Sequence, residues 1–222
     1  MKSLAKNFLL LSLSLINSCS NKTISTEKFT QKNKLPAKTY IYHCANNQSF
    51  AVRVEPEKAW VFLPTKTLSL PQILAASGSK FSDGSSTFWN KGKTARFTSD
   101  AHVFQNCTNS HAQAIWEHAK LNNVDYRAIG NEPDWSLEIT HNQTTVFISN
   151  YGQDRYEFKS SKPSIDTATH TSEYQLKNNA HTLSISLSRK LCRDTMSDQL
   201  FTSTVNIRLD NKKFTGCGKT LH

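Results

Sequence analysis

Strict alternation of apolar and polar residues recurs along most of this chain, and it sets the fold class. Phe50, Val52 and Val54 alternate with Ser49, Ala51 and Arg53, and Lys58 to Leu63 forms a second such run ended by Pro64. Later come Trp135, Leu137 and Ile139, then Leu183, Ile185 and Leu187 between Ser184, Ser186 and Ser188, then Val205, Ile207 and Leu209 against Asn206, Arg208 and Asp210. A period of two sends successive side chains to opposite faces, so each run reads as a strand with one wet face, as antiparallel sheets have. One stretch departs from this: Ser110 precedes His111 to Leu121, where Ala112, Ile115 and Ala119 share a helical face, and Asn122-Asn123 is a stop signal. The expected class is mainly β, two small antiparallel β-barrel or sandwich domains joined by a short helix.

The N-terminus reads as an export signal. Met1 to Lys6 is a short basic start, and the apolar run Asn7 to Ile16 is too short to span a bilayer but suits a secretory core. The run ends Leu15-Ile16-Asn17-Ser18-Cys19, which resembles a bacterial lipoprotein cleavage box; the resemblance implies that Cys19 becomes the lipidated N-terminus, and Ser20 after it implies outer-membrane sorting. Several acyl chains on one residue anchor stably. Residues 20 to 38 are polar and without pattern, a tether. The expected organisation is a leader over 1–18, lipidated Cys19 with the tether over 19–38, a first β domain over 39–109, and the helix with a second β domain over 110–222.

Within the first domain, Leu70-Pro71 leads through Ala76 to Ser77-Gly78-Ser79-Lys80-Phe81-Ser82-Asp83-Gly84, then Phe88-Trp89-Asn90-Lys91-Gly92. Gly78 and Gly84 permit positive φ, and Ser77, Ser79 and Ser82 supply hydroxyls that donate and accept, so the serines and glycines read as one polar loop. The runs Leu70 to Ala76 and Thr87 to Trp89 read as strands holding it, with Phe88 and Trp89 in the core. Together with Tyr42-x-Cys44 before it and Lys93-Thr94-Ala95 and Cys107 after it, this ordered set resembles the membrane-bound inhibitors of c-type lysozyme of bacterial envelopes, over about residues 38 to 109. The resemblance implies that Ser77 and Lys91 reach into the lysozyme cleft, with Gly78, Ser79 and Lys80 beside them, and that a host c-type lysozyme is the partner. About 70 residues bury a marginal core, so a covalent tie is expected, and Cys44 with Cys107 would close the domain.

The second half resembles another group, small bacterial envelope domains carrying Gly-Asn-Glu-Pro-x-Trp early and Cys-x-Asp-x-Met-Ser with Gly-Cys-Gly late. Here these are Gly130 to Trp135, Cys192 to Ser197, and Gly216-Cys217-Gly218. Cys192 and Cys217 are expected to pair, so the five cysteines divide into one lipid site and two bridges.

Composition narrows the remaining classes. The net charge of +10 is spread along the chain with no basic run, which excludes a nucleic-acid partner and leaves general basicity. Since c-type lysozymes are mostly basic themselves, short-range contacts and not long-range steering must carry binding. The His spacings lack any His-x-x-x-His, and no Cys-x-x-Cys occurs, so neither metal nor cofactor is expected. Asn131, Glu132, Asp134 and Asp194 read as turn chemistry more than as an acid–base site, and Ser77 lacks a nucleophile elbow, so no enzyme is expected. The alternative to an inhibitor is a periplasmic module that binds glycan or protein through the same loop.

Overall fold

The computed structural model of the protein describes residues 36–222. The expected leader over 1–18, the expected lipidation site Cys19 and nearly all of the expected tether lie outside the described residues.

Eight strands come first: β1 (Lys38–His43), β2 (Ser49–Val54), β3 (Lys58–Phe62), β4 (Thr67–Ile73), β5 (Ser79–Ser82), β6 (Thr87–Lys91), β7 (Thr94–Thr98) and β8 (Val103–Asn109). Each pairs antiparallel with the next, and β1 meets β8 to close a barrel. The alternation seen in the sequence is the in–out alternation of this barrel: Tyr42, Phe50, Val52, Val61, Phe81, Phe88, Phe97 and Phe104 fill it. Phe50 is its hub, stacked on Phe104 at 5.3 Å and edge-on to Phe88 at 6.2 Å. The closing seam is short, with Tyr42 opposite Asn109 and His43 opposite Thr108. The expected Cys44–Cys107 disulfide lies directly beyond it and ties the first strand to the last.

The helix α1 (His111–Leu121) has the expected ends, but its buried face differs. Ala114 and Ala119 are buried while Ala112 and Ile115 are exposed, and Ser110 occupies the cap position without a side-chain cap bond. The reason is that α1 is held from two sides, so no single apolar stripe defines its seat. Toward the barrel, His118 Nδ1 meets Thr39 Oγ1 at 3.0 Å, His43 meets Gln113 at 2.7 Å, and Arg53 donates to Asn122 Oδ1 at 2.8 Å. Away from it, Trp116 packs on Phe201 at 5.1 Å and lies under the Arg127 and Lys219 cations.

The chain continues through β9 (Tyr126–Asn131), β10 (Asp134–Ile139), β11 (Thr144–Ser149), β12 (Asp154–Lys159), β13 (Ser164–Asp166), β14 (Thr171–Lys177), β15 (Thr182–Ser188), β16 (Cys192–Arg193), β17 (Leu200–Phe201), β18 (Ser203–Leu209) and β19 (Lys212–Thr220). Nine of these form one antiparallel sheet in the order β12-β11-β10-β9-β19-β18-β15-β14-β13, while β16 and β17 pair as a ribbon. The sheet curls into a half-barrel around Trp135, Leu137, Phe147, Leu183, Val205 and Phe214 and leaves two free edges. Cys192–Cys217 fastens the ribbon to β19.

Candidate functional site

The stretch expected to be one loop is divided by a strand. β4 stops at Ile73, residues 74–78 form a loop, and Ser79 and Lys80 then pair with Asn90 and Trp89 in β5–β6. Phe81, 1% exposed, is the core residue that draws this segment into the sheet. Ser82 to Ser86 is therefore a separate turn at the other end of these strands. Its groups are already used: Ser82 Oγ donates to Ser86 O at 2.7 Å, and Asp83 Oδ1 accepts from the Ser85 and Ser86 N–H groups. The Ser86 N–H in particular holds the Asp83 carboxyl below the usual range.

The 74–78 loop is braced against β6. Gly78 has φ +71°, and a Cβ there would lie 2.2 Å from the Asn90 carbonyl oxygen, so glycine alone permits the approach. Trp89 Nε1 donates to Ser77 O at 2.9 Å. Trp89 is thus a strut and not a core residue, at 39% exposure, while its neighbours Phe88 and Asn90 point inward. Strand period alone forbids Phe88 and Trp89 from sharing the core, which is the signal that identifies it. Asn90 lies beside the Tyr42 hydroxyl, which burial pushes up to about 12.

Because β5 and β6 are antiparallel, Ser77-Gly78 before β5 and Lys91-Gly92 at the end of β6 come to the same end of the barrel. Lys91 stands opposite Thr94 across a tight turn, where Gly92 has φ +61° and Thr94 Oγ1 donates to Lys91 O at 3.0 Å. Lys91 and Gly78 are exposed and Ser77 is half-buried. Among the described residues no side chain holds the Ser77 hydroxyl or the Lys91 ammonium. Ser79 and Lys80 belong to β5 and not to the loop, both half-buried, with the Lys80 ammonium 6.0 Å from the Trp89 ring. This end of the barrel therefore offers the Ser77 hydroxyl and the Lys91 ammonium on a stiff support, with the exposed Lys93 in the same turn, a set suited to carboxylates.

Of the second-half carboxylates singled out in the sequence, Asp194 is tied into the architecture. Asn131 Nδ2 donates to Asp194 Oδ1 at 2.7 Å and to Thr195 Oγ1 at 3.0 Å, and Asp194 Oδ2 accepts from Ser197 N and Oγ. Burial works to raise the Asp194 pKa, but the hydrogen bonds from Ser197 and Asn131 outweigh it and keep the carboxyl below its ordinary value. Glu132 and Asp134 are exposed at the β9–β10 turn. Among the described residues no group of three or more His, Cys, Asp or Glu could hold a metal ion.

Fold and site together define a small disulfide-closed barrel that presents a braced loop and a lysine-bearing hairpin at one end. Residues 42–103 match the family of membrane-bound lysozyme inhibitors of c-type lysozyme, from the end of β1 to the start of β8. Over 69 residues the chain is 39% identical to the membrane-bound lysozyme inhibitor of C-type lysozyme from Yersinia enterocolitica, a match covering 31% of this chain and 59% of that relative. The chain thus spans about three fifths of that relative's length, 59%. No solved structure gives a significant match.

Proposed function

We propose that this protein inhibits c-type lysozyme by seating the 74–78 loop and Lys91 in the enzyme's substrate cleft, and that it does so as a non-enzymatic lipoprotein anchored through Cys19 in the outer membrane. The observation that carries the proposal is the register of β5 on β6, with Ser77-Gly78 and Lys91 at one exposed end of a barrel whose residues 42–103 match an inhibitor family. A c-type lysozyme cleaves with a protonated Glu and an ionised Asp flanking the sugar bond. An ammonium and a hydroxyl delivered between them satisfy both carboxyl groups and exclude substrate. Each charge-assisted contact there contributes about 1.5 to 3 kcal/mol, so two account for a large part of the roughly 8 kcal/mol of a micromolar complex. Inhibition is by occupancy, and no covalent step is involved.

A turbidity assay on bacterial cells with the full chain added to lysozyme tests this directly. The wild-type protein is expected to block lysis, and Ser77→Ala combined with Lys91→Ala to weaken the block by about tenfold or more. A wild-type chain without effect on lysozyme removes the proposal.

A further inference from the structure

Resting on the inhibitor reading, we infer that the apolar tip of the loop, Leu74 with Ile73, is a second contact surface that anchors the protein on an apolar wall of the lysozyme cleft. Ile73, Leu74, Ala75 and Ala76 are four consecutive apolar residues, all exposed. The Leu74 side chain stands entirely in solvent at 101% exposure, and Ile73 is 38% exposed. An exposed apolar run of this length is a liability for solubility unless it is used.

The tip is also firmly presented. Before it, Ile73 pairs with Lys80 and Gln72 with Phe81; after it, Gly78 abuts the Asn90 carbonyl and Trp89 holds the Ser77 carbonyl. Docking such a loop sacrifices little conformational freedom. Three residues of chain reach at most about 10 Å, so Leu74 touches the partner within about that distance of the Ser77 contact, which lies inside or at the lip of one cleft. Charge favours the same arrangement. The protein carries +10 and its partner is basic, so the polar contacts form against long-range repulsion, whereas burial of Leu74 is indifferent to it. Leu74 is then the residue that separates strong from weak inhibition among chains sharing the Ser–Lys pair.

The test titrates hen lysozyme with the full chain in four forms: wild type, Leu74→Ser, Leu74→Met and Leu191→Ser. Leu191 is a control, an exposed leucine at 66% that lies between β15 and β16 in the second half and not in the barrel. Leu74→Ser is expected to raise the inhibition constant by about tenfold or more, Leu74→Met to restore most of the loss, and Leu191→Ser to leave it unchanged. Equal inhibition by wild type and Leu74→Ser overturns the inference and leaves the inhibitor reading standing; a wild-type chain that fails to inhibit overturns the reading itself. Binding to phosphatidylglycerol vesicles is measured in parallel. Loss of vesicle binding in Leu74→Ser with unaltered inhibition assigns the tip to a membrane and overturns the inference.

Discussion

Serine at both Cys44 and Cys107 is expected to lower the stability of the barrel by about 4 kcal/mol, because the bridge closes a chain loop across a sequence separation of 63 residues. The location of the bridge makes it the most consequential covalent tie in this half. Most neighbouring barrel strands share four to six register pairs, whereas β1 and β8, like β4 and β5, share two. Beyond those pairs, the Ile41 N–H bond to Asn109 Oδ1 at 3.1 Å and the Ser110 N–H bond to the Ile41 carbonyl at 2.7 Å reinforce the seam. Cys107 is fully buried, so the variant also places a serine hydroxyl in an apolar site. A core of about 70 residues has little surplus stability to absorb this. Hydrogen exchange reads the result: β1 and β8 amides should lose protection first, while those of β18 in the other sheet keep theirs. A denaturation midpoint equivalent to a loss of less than about 1 kcal/mol would show that the two-pair ladder closes the barrel unaided.

Where the sequence was informative, the physics was local. Alternation at Phe50 to Val54, Trp135 to Ile139, Leu183 to Leu187 and Val205 to Leu209 marks β2, β10, β15 and β18, since period two is dictated by the strand itself and by one wet face. Asn122 and Asn123 end α1 for an equally local reason, Asn123 taking φ +60°. What escaped was decided at a distance. Ser79-Lys80-Phe81-Ser82 has the composition of a turn and becomes a strand because β6 pairs with it and the core takes Phe81. The seat of α1 depends on two surfaces that the helix sequence does not contain. Closure is likewise non-local: nothing in β1, β8, β12 or β13 announces that the first pair meets and the second does not. Within the candidate site, the ordered motif names Ser77 and Lys91 and strand period puts Trp89 outside the core, but the Trp89 bond to the Ser77 carbonyl and the exposure of Leu74 are set by the fold of the loop, not by any local pattern.

The glycines of the second half yield the other large effect: Gly216→Ala is expected to cost about 3 kcal/mol or more and to lower the melting temperature of this half by about 10 °C or more. A Cβ at Gly216 would stand 2.0 Å from the Ile129 carbonyl oxygen and 2.6 Å from Trp135 Cζ2; one at Gly130 would stand 2.1 Å from Trp135 Nε1. Gly130 faces Trp135 across β9–β10, and Gly216 lies in β19, the other neighbour of β9. The two glycines form a slot in which the indole lies flat on the sheet, leaving Trp135 only 2% exposed. Gly-Asn-Glu-Pro-x-Trp and Gly-Cys-Gly are thus two sides of one packing joint, locked from outside by the Asn131–Asp194 hydrogen bond and the Cys192–Cys217 bridge. Gly218→Ala should be milder, since its closest neighbour at 2.3 Å is the end of the Tyr126 side chain and not a backbone atom. For Gly216 the obstacle is the Ile129 carbonyl, so β19 must part from β9, and no rotamer change of Trp135 relieves it. Near-UV circular dichroism, which reports the fixed indole, should therefore collapse in Gly216→Ala at temperatures where Gly218→Ala retains it. A Gly216→Ala variant melting within about 3 °C of wild type would mean that these strands have slack for a methyl group, and that the joint is not what holds the half-barrel together.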